Sequence, residues 1–120
     1  MRKFCMNAQE LKSILVELFG NQIVFNKDFD FYAEQLKEDM QRDLIDWCKQ
    51  CKEDLLRGYT PENKKMKHFY VFFKKIGNET RSILIKIKNQ DFIEIHLADH
   101  TYYDDKRKEL GLKKSSYYGS

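Results

Sequence analysis

Proline occurs once and glycine five times in 120 residues, so the composition is not that of a disordered tail. No apolar run approaches the roughly 18 residues that cross a bilayer, and no membrane association is expected. The start, "MRKFCMNAQELKS", lacks the apolar run and small-residue site of a secretory leader. Three cysteines cannot form a closed set of pairs, and with no leader the expected compartment is a reducing cytoplasm. There is no internal repeat and no low-complexity segment. What is present is a hydrophobic fraction of 42% with 14% aromatics, enough for one domain around a single modest core.

Charge is unevenly spread. Residues 27–63 carry six basic and ten acidic side chains, whereas residues 64–120 carry thirteen and seven. The C-terminal half is therefore basic and suited to phosphate, while the acidic middle argues against indiscriminate coating of nucleic acid.

Periodicity gives the elements. Asn7–Phe19 is a helix with Asn7 as N-cap and Leu11, Ile14, Leu15, Leu18 and Phe19 on one face. Gly20 and Asn21 end it, and "QIVF" is a short strand. Lys27 to Leu56 is helical with a break near Lys37, because the apolar face shifts there. Phe29, Tyr32, Ala33 and Leu36 mark the first piece; Met40, Leu44, Trp47, Cys48, Cys51 and Leu55 mark the second. "RGYTPENKKMK" is a loop. Three strands follow, "HFYVFFKKI", "RSILIKIK" and "FIEIHLA", joined by the turns "GNET" and "NQD". Ile83, Ile85 and Ile87 are expected inward, as are Ile93, Ile95 and Leu97. Lys86, Lys88, Glu94 and His96 are expected on a wet outer face. A last short helix is expected over Asp104–Leu110. The class is α+β.

The run from Ile23 to Leu112 resembles the RelE/ParE superfamily of toxin–antitoxin toxins. The matching pieces are "IVFNKDFDFYAEQL", "MQRDLIDWCKQCKEDLL", "TPENKKMKHF", "RSILIKIKNQDFIEIHLA" and "DHTYYDDKRKELG". The resemblance implies a RelE-like domain, a helical hairpin packed on one face of an antiparallel sheet. On that reading residues 1–120 form one domain: an N-terminal helical extension (1–21), a core (22–112) and a flexible tail (113–120).

The resemblance further implies a ribosome-dependent mRNA endonuclease working without metal or other cofactor. A ribose 2′-OH attacks the adjacent phosphate and an acid protonates the leaving oxygen. His100 would transfer the proton, Arg81 would stabilise the phosphate and Tyr103 would pack or hydrogen-bond beside it. The RNA-binding set would be Lys64, Lys65 and Lys67 of the loop together with Lys86 and Lys88. Implied partners are a cognate antitoxin, the ribosome and mRNA; a homodimer stays open.

Departures from the pattern keep an alternative in view. Asp99, Asp104 and Asp105 flank the proposed site and repel phosphate, and Arg81 shares strand parity with Ile83 and Ile85. The alternative is a non-catalytic module on the same scaffold, a gyrase inhibitor or a mobile-element regulatory protein. His100 then caps or faces solvent, Asp99 starts a turn or caps the last helix, and Tyr102 and Tyr103 cover the sheet edge. "CKQC" has the spacing of half a zinc site, but it lies mid-helix on the apolar face without a second pair, so it is read as core. "FYVFF" is likewise core, because it lacks the rest of an RNA-binding strand motif.

Overall fold

The structure is a computed structural model that describes residues 6–53, 55, 56, 58–60, 68–77, 79–87 and 93–109. The element order is α1 (Ala8–Phe19), β1 (Val24–Phe25), α2 (Phe29–Ala33), α3 (Glu38–Lys52), β2 (Phe69–Ile76), β3 (Thr80–Ile87), β4 (Ile93–Ala98) and α4 (His100–Glu109).

Local chemistry explains the helix starts. Asn7 accepts from the Glu10 amide, and the Glu10 carboxylate accepts from the Asn7 amide, a reciprocal capping box. Gly20 follows α1 at φ 101°, in the region glycine tolerates, and its amide donates to Val16 O at 2.7 Å. The expected break falls at Lys37, whose extended backbone precedes α3. The second helix stops at Lys52, so Leu55 does not extend the apolar stripe. It is 73% exposed, a correction to its expected place on the buried face.

The sheet is mixed, with strand order β1-β4-β3-β2. β2, β3 and β4 form the expected antiparallel meander, but β1 lies parallel to β4, pairing Val24 with Glu94 and Phe25 with Ile95. The all-antiparallel expectation is corrected there. A strand of two residues has few ladder bonds, and Asn26 extends it. Its backbone amide donates to Ile95 O at 3.2 Å. Its side-chain Nδ2 donates to Leu97 O, and its Oδ1 accepts from Leu97 N, both at 2.9 Å. The carboxamide takes the place of one more peptide unit.

One sheet face packs under α1, α2 and α3. Leu11, Leu15, Phe29, Leu44, Trp47, Leu84, Ile95 and Leu97 belong to this main core, so the N-terminal helix packs on the domain. Gln41, 1% exposed within it, donates to Met6 O at 2.7 Å and accepts from Met6 N at 3.0 Å. The "CKQC" thiols are buried in the same core. Burial, and then Cys51, pushes the Cys48 pKa well above its usual value, which makes it a poor nucleophile.

The opposite face is not the wet surface expected. Val71, Ile83, Ile85 and Tyr103 form a second buried cluster there, with Tyr59, Phe69 and Phe73 against it. Register corrects the inward assignment: Ile83 and Ile85 lie opposite His96 and Glu94, whereas Leu84 lies opposite Ile95. The inward sets read for β3 and β4 thus belong to opposite faces. The cause is visible in "ILI": a central strand covered on both sides is apolar at every position, and alternation cannot orient it. His96 is 4% exposed, not outward in water.

The cover on this face is α4, which starts at His100 rather than at Asp104. Asp99 caps it, its Oδ1 accepting from Tyr102 N at 2.9 Å and its carbonyl from Tyr103 N at 3.2 Å. Among the described residues, no helix is long and apolar enough to cross a membrane.

Candidate functional site

The expected catalytic set does not form one open surface. His100, the first residue of α4, keeps a side chain 64% exposed, with Nε2 at 3.6 Å from Asp104 Oδ2 one turn on. It lines a cleft of about 290 Å³ with Tyr32, Gln35, Glu79, Thr80 and Asp99. Among the described residues, that lining holds two carboxylates and no lysine or arginine. The Tyr32 phenol there is pushed up by burial and then by the charges of Asp99 and Asp28. An added anion meets the same repulsion.

Arg81 is 7% exposed on the face shared with Ile83 and Ile85, and its Nη1 donates to Thr80 O at 3.3 Å. Tyr103 is 1% exposed, with its ring edge-on to Phe73 at a centroid distance of 5.2 Å. Arg81 and Tyr103 share the covered face, and His100 stands outside it. Of the expected RNA-binding lysines, Lys64, Lys65, Lys67 and Lys88 lie outside the described residues. Lys86 is on the main-core face, where its Nζ donates to Cys51 O at 3.2 Å and lies 5.9 Å from the Phe72 ring centroid. A cation there satisfies a carbonyl at the negative end of α3.

A second polar group was not singled out from the sequence. Glu94 and His96, two apart on β4, share one face, and Tyr102 of α4 closes over them. Glu94 Oε1 is 2.5 Å from His96 Nε2, and His96 Nδ1 is 2.7 Å from Tyr102 Oη. The Glu94 carboxyl is held below its usual 4.5, chiefly by the hydrogen bond from His96, with the charges of His96 and Lys106 adding. An ionised carboxylate only accepts, so Nε2 carries the proton it shares with Glu94. In the neutral ring Nδ1 is then the acceptor, and Tyr102 O–H donates to it. Burial, followed by the charges of Glu94, Glu109 and Asp28, pushes the Tyr102 pKa up, which keeps the phenol protonated. The available signal was the pair of polar residues at i and i+2 in "EIH", followed by a helix able to fold back.

The Glu94 shift has a defined consequence for stability. Its folded pKa lies below the unfolded one, so on acidification the unfolded chain takes up that proton first. The contribution is complete above about pH 4.5 and is lost as pH falls through the folded value. Urea midpoints measured down into that acid range should fall less steeply for Glu94→Gln than for the parent chain. Parallel curves would refute the assignment.

Among the described residues, no three His, Cys, Asp or Glu side chains stand together as a metal-binding group. Comparison with known proteins finds no matching family model, curated protein or solved structure.

Proposed function

We propose that this chain is a RelE/ParE-type module that works in the cytoplasm by binding a protein partner, not by cutting mRNA. The carrying observation is the state of the three residues on which cleavage would depend. His100 faces Asp104 in an acidic cleft, while Arg81 and Tyr103 are buried on the sheet face that α4 covers. A pentavalent phosphate needs accessible cations, and among the described residues this cleft presents carboxylates instead. The order of short strand, two helices and antiparallel meander supports the scaffold. Phe31, 63% exposed and edge-on to Tyr32 of the cleft at 5.1 Å, offers an aromatic anchor of the kind protein interfaces use. A cognate antitoxin or a target enzyme such as gyrase is the class of partner this reading implies.

The deciding experiment is induction of the chain alone, beside His100→Ala, with growth curves and primer-extension mapping of cellular mRNA. The expected result is no new translation-dependent cleavage, and identical growth for the two proteins. Translation-dependent cleavages that vanish in His100→Ala would overturn this reading in favour of an mRNA interferase.

A further inference from the structure

The row Glu94–His96–Tyr102 has the order carboxylate, imidazole, hydroxyl, with each pair in hydrogen-bond contact. This is the arrangement in which a general base, oriented by a third group, takes the proton of a weak nucleophile. Exposure is graded to match. The His96 side chain is 5% exposed and fixed between its partners, Glu94 is 30% exposed, and Tyr102 is half-buried. A mere anchor for α4 needs a hydrogen bond to the sheet, but it does not need an ionised carboxylate behind the imidazole.

We propose that Tyr102 is a base-activated nucleophile that accepts an acyl group from an uncharged, activated carboxylic ester. Tyr102 Oη attacks the carbonyl carbon while its proton passes to His96 Nδ1, and Glu94 stabilises the imidazolium that results. The tetrahedral adduct collapses, the ester C–O bond breaks, and the leaving oxygen takes the proton back from Nδ1. The products are the Tyr102 acyl ester and an alcohol. Water activated by His96 in the same way releases the acid and restores the phenol.

The neighbouring charges select the substrate class. Glu94, Glu109 and Asp28 all act on the Tyr102 phenol, so a phosphate ester would bring more negative charge among carboxylates. Lys106, whose Nζ lies 5.8 Å from the Tyr102 ring centroid, is the nearby cation for an oxyanion. It is shared with Glu109 at 3.4 Å.

The test uses p-nitrophenyl acetate on the full chain, with acid quenching and tandem mass spectrometry to follow acetylation at each of the seven tyrosines. Tyr102 is expected to acetylate fastest. His96→Gln should slow it by at least roughly tenfold with an unchanged circular dichroism spectrum, and Glu94→Gln should slow it while leaving the hydrogen bond from Nε2 possible. Should His96→Gln fail to fold, Glu94→Gln alone decides, because it leaves the imidazole and its contact with Tyr102 in place. Labelling of Tyr102 no faster than of the others, or a rate indifferent to the substitutions, would leave the row as an anchor and overturn the proposal. Neither outcome touches the binding reading, which the mRNA mapping decides.

Discussion

Tyr103→Ala is expected to cost about 3–5 kcal/mol of unfolding free energy, in the range of large aromatic deletions from a core. Tyr103 is the side chain of α4 in the second cluster, wedged among Val71, Ile83 and Ile85 with its ring on Phe73. The rest of α4, "HTYYDDKRKE", is mostly charged, and a ten-residue helix of that kind is marginal by itself in water. Its stability therefore derives from docking. Removing the ring empties the dock and also exposes the isoleucines beneath. Urea unfolding followed by circular dichroism gives the free energy, and amide exchange over residues 100–109 shows whether the helix has come loose. A loss under about 1 kcal/mol would mean that Tyr103 is not what holds α4.

Asn26→Ala is expected to cost about 2–6 kcal/mol, far more than its small size suggests. Its carboxamide satisfies both the amide and the carbonyl of Leu97, a residue fully buried in the main core. Alanine leaves both groups without that partner, at about 1–3 kcal/mol each when water cannot reach them. Asn26→Asp should be at least as damaging, because it keeps the acceptor for Leu97 N but turns a carboxylate oxygen toward Leu97 O. Urea midpoints for the two variants check this. If Asn26→Ala matched an ordinary surface substitution, the side chain would not be acting as part of the ladder.

The contrast between what was legible and what was not follows from the range of the interactions. α1 was readable because Asn7 and the stripe Leu11–Leu15–Phe19 act within one segment. The break at Lys37 and the order of β2, β3 and β4 were readable for the same reason. The parallel docking of β1 was not, since it depends on Asn26 meeting Leu97 across 71 positions. The orientation of β3 was hidden because Ile83, Leu84 and Ile85 satisfy either face. At the site, residues 102 and 103 are both tyrosine, and neighbours on a helix point about 100° apart. Only the docking angle of α4 sends Tyr103 into the cluster and Tyr102 to His96. Arg81 carried its own hint, its parity with the isoleucines, and it is indeed buried with them.

The two-sided cover of the sheet also bears on how the chain is made. Synthesis runs from the N-terminus, so β2, β3 and β4 leave the ribosome before α4, and the three helices of the main core leave earlier still. One face of the meander can be sheltered as soon as it forms. The other, carrying Val71, Ile83 and Ile85, lacks its helical cover until Tyr103 has emerged and folded back. For that interval the nascent chain presents an apolar strand surface to whatever is near, and the arrival of one helical turn ends it.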